Sequence, residues 1–216
     1  MVLHGETRVK MCGMTTPEQA EWASAAGAAY VGLVFFPPSP RYVTPEAARE
    51  ISMAVPPGVA KVALLVDPDD TLVDAVASLP IDILQLQGAE TPDRVKTVRD
   101  RTGLPIIKAI GLSTAEDLSG VARYANVVDQ MLIDAKPPAG GKLPGGNGLS
   151  FDWTLVAGRR WPTPWMLAGG LTADNVGEAI RRTGALQVDL SSGIESAPGV
   201  KDKGKINKFM DAVRAA

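Results

Sequence analysis

Cysteine and histidine are almost absent from this chain of 216 residues, which has one of each, Cys12 and His4. A single cysteine cannot form an internal disulfide, and chains without disulfides are typical of a reducing cytoplasm. Long apolar runs are missing as well, since no stretch approaches the ~20 residues of a membrane-spanning helix. The first ten residues, MVLHGETRVK, lack the apolar core of a signal peptide. We therefore expect a soluble cytoplasmic protein with no membrane partner.

An excess of positive charge is also missing. The chain has 22 basic and 24 acidic residues, scattered along its length, and a formal net charge of −2. No basic stripe is formed, so we expect no nucleic-acid partner. The segment CGMTT after the first predicted strand lacks the G-x-G-x-x-G pattern of dinucleotide-binding folds, which argues against a doubly wound sheet.

What the sequence does contain is a repeat of short apolar, β-branched runs separated by helix-like segments. Their regular spacing fits a strand, a loop and one helix, and it implies parallel strands joined by crossovers. Eight such units predict an α/β protein with a single (β/α)8 barrel domain over residues 1–216, rather than an open sheet of five or six strands. The predicted strands are 8–12, 30–36, 60–66, 81–87, 105–111, 127–134, 165–169 and 186–192.

The helix-like segments begin and end with the expected residues. A threonine that can cap a helix precedes proline at Thr16, Thr44 and Thr91, and Thr172 begins a similar segment. Glycines stand where three helices should end, at Gly27, Gly103 and Gly184. Further helices are predicted to start near Asp70, Ser113 and Asp202, with a short one within SFDWTLVAG.

In a (β/α)8 barrel the active site lies at the carboxyl ends of the strands. This rule gives a shortlist of candidates: Cys12, Phe36, Asp67, Gln87, Gly111, Asp134, Gly169, Gly170, Ser191, Ser192 and Gly193. The small residues after strands seven and eight, Gly169–Gly170 and Ser192–Gly193, predict a phosphate site built from backbone N–H groups. The glycine-rich segment PAGGKLPGGNGLSFDW suggests a loop that closes over the ligand, with a structural linker as the alternative.

Two strand ends carry side chains suited to proton transfer. Asp134 ends an apolar strand, where partial desolvation would raise its pKa and keep it protonated as a general acid; a turn or capping aspartate is the alternative. Cys12 faces the same side as Lys10, whose charge would stabilise a thiolate base, although a lone cysteine is more commonly a small buried apolar residue. Lys10 itself is expected to neutralise an inward acid such as Asp189.

Arg41 follows a proline-rich loop after strand two that would hold its guanidinium ready for a carboxylate or phosphate; an exposed loop arginine is the alternative. An acid and a base on one phosphate-binding rim indicate an isomerase that moves protons, rather than an enzyme that transfers hydride.

These motifs together resemble the phosphoribosylanthranilate isomerase family over nearly the whole chain. The resemblance rests on VKMCGMT, GLVFFPPSPRYVTPEAA, LQLQG, LIDA with GGNGLSFDW, LAGGLTADNV and VDLSSGIESAPGVKD. It implies an Amadori rearrangement of N-(5-phosphoribosyl)anthranilate, a small phosphorylated substrate, without cofactor or metal. It further implies Asp134 as general acid and Cys12 as general base. Arg41 would lie on the anthranilate side, and Gly169, Gly170, Ser192 and Gly193 would hold the phosphate.

One departure from the family pattern concerns the end of strand four, where Gln87 stands in place of the usual histidine. Glutamine can form hydrogen bonds there but cannot carry charge. Two other functions stay open: another sugar-phosphate isomerase or epimerase, and a non-catalytic phosphate-ligand binder in which Gln87 marks the first lost residue. The sequence allows either a monomer or a homodimer.

Overall fold

Eight parallel strands form a closed barrel in which each strand pairs with its sequence neighbours and β8 pairs with β1. The computed structural model describes residues 7–135 and 152–216. The strands are β1 (Arg8–Cys12), β2 (Tyr30–Val34), β3 (Ala60–Leu65), β4 (Ile83–Leu86), β5 (Ile106–Leu112), β6 (Gln130–Ala135), β7 (Trp165–Leu167) and β8 (Gln187–Leu190). The predicted (β/α)8 barrel is confirmed, and the open-sheet alternative is excluded.

Helices cover the outside of the barrel. The α-helices are α1 (Pro17–Ala26), α2 (Pro45–Ala54), α3 (Asp70–Ala77), α4 (Pro92–Thr102), α5 (Val176–Thr183) and α6 (Lys203–Arg214). Segments Ala115–Tyr124 and Trp153–Leu155 are 3-10 helices. None of the helices in the described parts of the chain is long and apolar enough to cross a membrane.

The helix boundaries follow the capping residues closely. The side chains of Thr16, Thr44 and Thr91 each accept a hydrogen bond from the backbone three residues later, and proline follows each of them. Gly27, Gly103 and Gly184 end their helices in the left-handed conformation that glycine adopts without strain. These six predictions are confirmed.

Two helix starts were predicted wrongly. The helix expected at Thr172 begins at Val176, because Asn175 accepts from the Thr172 N–H at 2.8 Å and donates to the Gly170 carbonyl at 3.0 Å, which holds the intervening residues in a turn. The segment expected to be helical from Ser113 is a 3-10 helix that begins at Ala115, since Asp117 accepts from the N–H groups of Ser113 and Thr114.

Two cores fill the fold. The larger one lies between the barrel and its helices, and side chains of alternate strand residues fill the barrel itself, among them Tyr30, Val62, Ile107, Ala109, Leu132, Met166 and Ala168. The chain then adds a feature that the sequence did not predict. After β8 a 3-10 turn, Ser192–Ile194, leads into a small hairpin of β9 (Glu195–Ala197) and β10 (Val200–Lys201).

Candidate active site

The predicted acid and base lie on the same rim of the barrel. Cys12 is the last residue of β1, and Asp134 is the penultimate residue of β6. The strand order puts β7 and β8 between them on one side. The loops after β7 and β8, predicted to hold phosphate, therefore lie along the rim between Asp134 and Cys12.

Lys10 is completely buried inside the barrel beneath this rim. Its Nζ lies 2.7 Å from Oδ1 of Asp189, its register neighbour on β8, so the predicted pairing is confirmed. Burial lowers the pKa of Lys10, but the charges of Asp189 and Cys12 and hydrogen bonds to both raise it more, to about 12. A permanently charged ammonium thus lies beside the thiol of Cys12.

Asp134 titrates near neutral pH rather than in the usual acidic range. Burial and the negative charge of Asp189 raise its pKa to about 7, against the opposing effects of the Ala135 N–H, Lys10 and Gln87. The Ala135 N–H donates to Oδ1 at 2.8 Å. A group that titrates near the working pH is suited to donate and regain a proton during a reaction.

Gln87 lies next to this acid. Its Nε2 donates a long hydrogen bond of 3.5 Å to Oδ2 of Asp134, and its Oε1 accepts from Nε2 of Gln85 at 2.7 Å. The amide therefore presents a neutral donor to Asp134. No proton can be exchanged by Gln87 itself.

Arg41 is not an exposed loop arginine, since only 6% of its surface is exposed to solvent. Its Nε and Nη2 donate to the two carboxylate oxygens of Glu195, each at 2.8 Å, in a bidentate pair. The side chain also packs against Gly13, where an added Cβ would lie 2.5 Å from Cδ of Arg41. The loop after β2, which contains Arg41, is thereby bound to the hairpin that follows β8.

Lys201 on β10 completes this buried cluster. Its Nζ donates to Oε1 of Glu195 at 2.7 Å, and to the carbonyl and hydroxyl oxygens of Ser191 at 3.0 and 3.1 Å. The Ser191 hydroxyl in turn donates to the Cys12 carbonyl at 2.9 Å. Burial lowers the pKa of Lys201 to about 8, with Glu195 and Cys12 opposing and Arg41 adding to the decrease.

Sequence reasoning missed Glu195 and Lys201, although both lie in the motif DLSSGIESAPGVKD. The sequence signal for them was the presence of two opposite charges, Glu195 and Lys201, in a segment of otherwise small and apolar residues just after the last barrel strand. One carboxylate shared by two cations leaves a net positive charge near Cys12. Such a surplus attracts an anionic ligand.

The glycine-rich loops meet closely between the acid and the base. Gly169 and Gly170 have φ values of 91° and 63°, and a Cβ on Gly169 would lie 2.8 Å from the Ala135 nitrogen. A Cβ on Gly193 would lie 2.1 Å from the Leu171 carbonyl oxygen. The turn at Ser192–Gly193 therefore packs directly on the loop after β7, as only glycine allows.

Some strand-end residues have structural tasks. Asp67 has a φ of 43° and accepts from the Ala89 N–H at 2.7 Å, which ties the loops after β3 and β4 together. Beneath them Lys108 and Glu90 form a buried ion pair of 2.8 Å. Gly111 on β5 is the register partner of Asp134 on β6. Phe36 lies just beyond β2, where its carbonyl accepts from the Ser39 N–H at 2.9 Å. His4 and the glycine-rich segment 136–151, including its predicted closure over ligand, lie outside the described residues.

Within those described residues, no three His, Cys, Asp or Glu side chains are grouped so that they could hold a metal ion.

Comparisons with known proteins agree with the geometry. Residues 9–212 match the model of the family N-(5'-phosphoribosyl)anthranilate (PRA) isomerase. The chain is 57% identical over 208 residues to an N-(5'-phosphoribosyl)anthranilate isomerase of Cereibacter sphaeroides, which covers 96% of this chain and 98% of the relative.

Two solved structures are similar over 97% of this chain and 100% of theirs. Monomers of the dimeric phosphoribosylanthranilate isomerase from Thermotoga maritima superpose with a TM-score of 0.84 at 32% identity. A phosphoribosylanthranilate isomerase in complex with reduced 1-(o-carboxyphenylamino)-1-deoxyribulose 5-phosphate gives a TM-score of 0.84 at 33% identity.

Proposed function

The chain belongs to the N-(5'-phosphoribosyl)anthranilate isomerase family, and we propose that it performs the reaction of this family with Asp134 as general acid and Cys12 as general base. The reaction is the isomerisation in tryptophan biosynthesis that converts an aldose-type phosphoribosyl amine into a ketose. The observation that carries the assignment of residues is the raised pKa of Asp134 on the same barrel rim as Cys12.

The first step opens the ribose ring. The protonated carboxyl of Asp134 donates its proton to the ring oxygen, the bond from that oxygen to C1 breaks, and the nitrogen lone pair forms a C=N iminium bond. A carboxyl group whose pKa is about 7 is protonated in about half of the molecules at neutral pH, so it can both give this proton and regain it. The carboxylate that remains is stabilised by the Ala135 N–H and by Gln87.

The second step removes the proton from C2. The Cys12 thiolate accepts it, the C–H electrons form a C1=C2 bond, and the iminium electrons return to nitrogen to give an enolamine. Loss of the C2 hydroxyl proton and protonation of C1 then yield the ketone. Lys10, whose ammonium stays charged, lies beside Cys12 during this step. Because atoms and electrons balance within one molecule, the rearrangement consumes no cofactor.

Two anionic groups orient the substrate in this proposal. The phosphate binds the backbone at Gly169, Gly170, Ser192 and Gly193. Among the described residues, the Gly169 and Gly170 N–H groups donate to no acceptor, which leaves them available for phosphate oxygens. The anthranilate carboxylate lies toward Arg41, where the cluster with Glu195 and Lys201 carries a surplus positive charge. Lys10 and Asp189 support the base from below.

We also infer that the chain acts in the cytoplasm as one barrel domain, either as a monomer or as a homodimer. Its only cysteine is free and buried, and the proposed mechanism needs that thiol in its reduced form.

The test is turnover of the purified protein and of two variants. We expect consumption of N-(5-phosphoribosyl)anthranilate, and losses of at least ~100-fold in kcat for Cys12→Ser and for Asp134→Asn, the usual scale for losing an acid or a base. Asp174→Asn is the matched control, because the Asp174 carboxylate forms an exposed ion pair with Lys208. Near-normal turnover in either site variant would reject its assigned role. Tight binding of the reduced product analogue without turnover would instead favour a non-catalytic binder.

A further inference from the structure

Lys201 is a buried cation that the mechanism above uses only for its charge. It lies on β10 with 3% of its surface exposed, opposite Glu195 in the register of the hairpin. Arg41 already gives Glu195 one counter-charge through its bidentate hydrogen bonds. A second buried ammonium is therefore not needed to neutralise Glu195, and its burial costs free energy. The other hydrogen bonds of Lys201 explain why a lysine is found here.

Those hydrogen bonds lead to Ser191, the residue directly after β8. An ammonium group has three N–H donors and no acceptor. One N–H of Lys201 binds Oε1 of Glu195 at 2.7 Å, and the others bind the carbonyl and hydroxyl oxygens of Ser191 at 3.0 and 3.1 Å. Although burial lowers the pKa of Lys201 to about 8, the group is mainly charged at pH 7. Each of its three donors thus has an acceptor, and Ser191 is held at two atoms.

The Ser191 hydroxyl connects this lysine to the proposed base. Because the hydroxyl oxygen accepts from Lys201, its own proton is directed to a second partner, and the hydroxyl donates to the Cys12 carbonyl at 2.9 Å. Cys12 is the last residue of β1, so this bond holds the end of that strand. We propose that Lys201 is a positioning residue that holds the Ser191 hydroxyl as a donor to the Cys12 carbonyl and thereby fixes the place of the thiol.

The hairpin after β8 thus acts on two proposed site residues by separate routes. Through Glu195 it holds Arg41, and through Lys201 and Ser191 it holds Cys12. Removal of the C2 proton needs the thiol close to that carbon, and a small displacement of a reacting group lowers the rate strongly. Loss of the second route should therefore lower kcat more than it weakens substrate binding.

The inference rests on the proposed function for its catalytic meaning, but its geometry can be tested without turnover. Cys12 is the only cysteine in the chain, so protein labelled with 13C at the cysteine carbonyl gives one NMR signal, and its position depends on the hydrogen bond to that carbonyl. Ser191→Ala removes the donor and gives the reference shift. Lys201→Met should move the signal in the same direction and by a comparable amount.

A thermodynamic cycle separates positioning from a general structural effect. In a Ser191→Ala background, Lys201→Met should produce no further change in the carbonyl signal, because the hydroxyl that it holds is gone. Lys205→Met is the matched control, since Nζ of Lys205 binds the same hairpin at a different atom, the Glu195 carbonyl oxygen, at 2.6 Å. It should leave the signal unchanged.

Kinetics test whether the link matters for the reaction. Ser191→Ala keeps every charge of the cluster and keeps the Ser191 carbonyl for Lys201. We expect kcat to fall by about 10-fold with KM near that of wild type. In a Cys12→Ser background the same substitution should lower the residual turnover no further, because the thiol that it positions is absent.

Lys201→Gln serves as a second variant, because its side chain is one bond too short to reach both Ser191 and Glu195. It should reproduce the Lys201→Met shift, and both variants leave Glu195 paired with Arg41, so neither creates an unpaired buried charge. An unchanged carbonyl signal in the Lys201 variants would overturn the proposal, as would an equal shift with and without the Ser191 hydroxyl. A rise in KM at constant kcat for Ser191→Ala would also overturn it. Failure of the proposed function has a different signature, namely retained turnover in Cys12→Ser while Lys201→Met still moves the wild-type carbonyl signal.

Discussion

The guanidinium of Arg41 and the carboxylate of Glu195 form a bidentate pair that is almost entirely removed from solvent, with both N–O distances at 2.8 Å. The two residues lie 154 positions apart in the chain. Because the pair holds the guanidinium in place, Arg41 would meet the proposed anthranilate carboxylate with little further loss of side-chain freedom. In the proposed site, Glu195 touches no substrate group but fixes the position of Arg41, the proposed binding residue.

Glu195→Gln should therefore weaken substrate binding more than chemistry. The amide cannot accept two charge-assisted hydrogen bonds, so Arg41 loses its fixed position and Lys201 loses its counter-charge. We expect KM to rise about 10-fold with a smaller change in kcat, and unfolding to become easier by about 3 kcal/mol, as when one partner of a buried pair is removed. Steady-state kinetics and urea unfolding measure the two effects.

The control for that substitution is Glu178→Gln, which breaks the exposed pair between Glu178 and Arg182 on α5. Exposed pairs contribute little to stability, so both quantities should stay near wild type. A fall in kcat for Glu195→Gln with unchanged KM would contradict the positioning role.

Asp134 should make the protein less stable as the pH rises through neutrality. Its pKa in the folded protein is about 7, above its usual value of 3.8, so between these values the folded state binds more protons than the unfolded state. Stability from the protonated form is complete below pH 4 and is lost as pH rises through 7. After allowing for partial exposure, Asp134→Asn should be more stable than wild type by about 2 kcal/mol at pH 8 and by only about 0.5 kcal/mol at pH 4.5.

Chemical denaturation at the two pH values checks this difference. Asp74→Asn is the opposing control, because hydrogen bonds from Arg101 lower the pKa of Asp74. Stability from that carboxylate is present above its usual pKa, so the Asp74 variant should be less stable than wild type at pH 8 rather than more stable. Equal stability of wild type and Asp134→Asn at both pH values would show that Asp134 ionises without a penalty.

Lys10→Met should destabilise the barrel, because it leaves the Asp189 carboxylate buried without its counter-charge. Removing one partner of a buried pair typically costs about 3–5 kcal/mol. Adding Asp189→Leu should recover most of that loss, since no unpaired charge then stays in the interior. Thermal and urea unfolding of the single and double variants measure the recovery.

Turnover separates the two tasks of this ion pair. If Lys10 supports the Cys12 thiolate, the double variant should stay strongly impaired even though its stability returns. Recovery of turnover together with stability would mean that Lys10 serves only to neutralise Asp189.

Gly193→Ala should disturb phosphate binding. Its new Cβ would lie 2.1 Å from the Leu171 carbonyl oxygen, so the turn after β8 must move away from the loop after β7. We expect KM for substrate and the inhibition constant of inorganic phosphate to rise by about 10-fold, equivalent to 1.4 kcal/mol of binding. Gly120→Ala is the control, because its nearest neighbour, Nη2 of Arg123, would be 3.7 Å away. Unchanged phosphate inhibition would argue against a phosphate site at these loops.

Features with a local cause were predictable from the sequence. The eight strands follow from their apolar composition and spacing, and the helix ends follow from caps such as Thr91 and Gly103. The pairing of Lys10 with Asp189 also followed, because both residues point into the barrel from the strands that close it. Such features depend on short-range sequence patterns, because the regular strand order of a parallel barrel then determines which residues are neighbours.

Features that depend on long-range packing were not predictable. Arg41 is buried by the hairpin that follows β8, and no periodic pattern in the sequence predicts that hairpin. The same hairpin brings Glu195 and Lys201 together. The raised pKa of Asp134 was expected from desolvation, but the contribution of Asp189 depends on the geometry of the barrel interior. The turn that delays α5 to Val176 depends on hydrogen bonds made by one side chain, Asn175.

The hydrogen bonds that join β1 and the loop after β2 to β8 and its hairpin affect how the chain folds. Lys10 bonds to Asp189, and the Cys12 carbonyl to Ser191, each across 179 positions of sequence. Contacts between such distant positions form late, because a long chain segment must be closed before they contribute. During synthesis, the first strand therefore emerges long before the residues that organise it. The rim that carries the proposed acid and base is complete only when the last strand joins the first. A chain that stalls before β8 lacks Asp189 and Ser191, the bonding partners of Lys10 and of the Cys12 carbonyl.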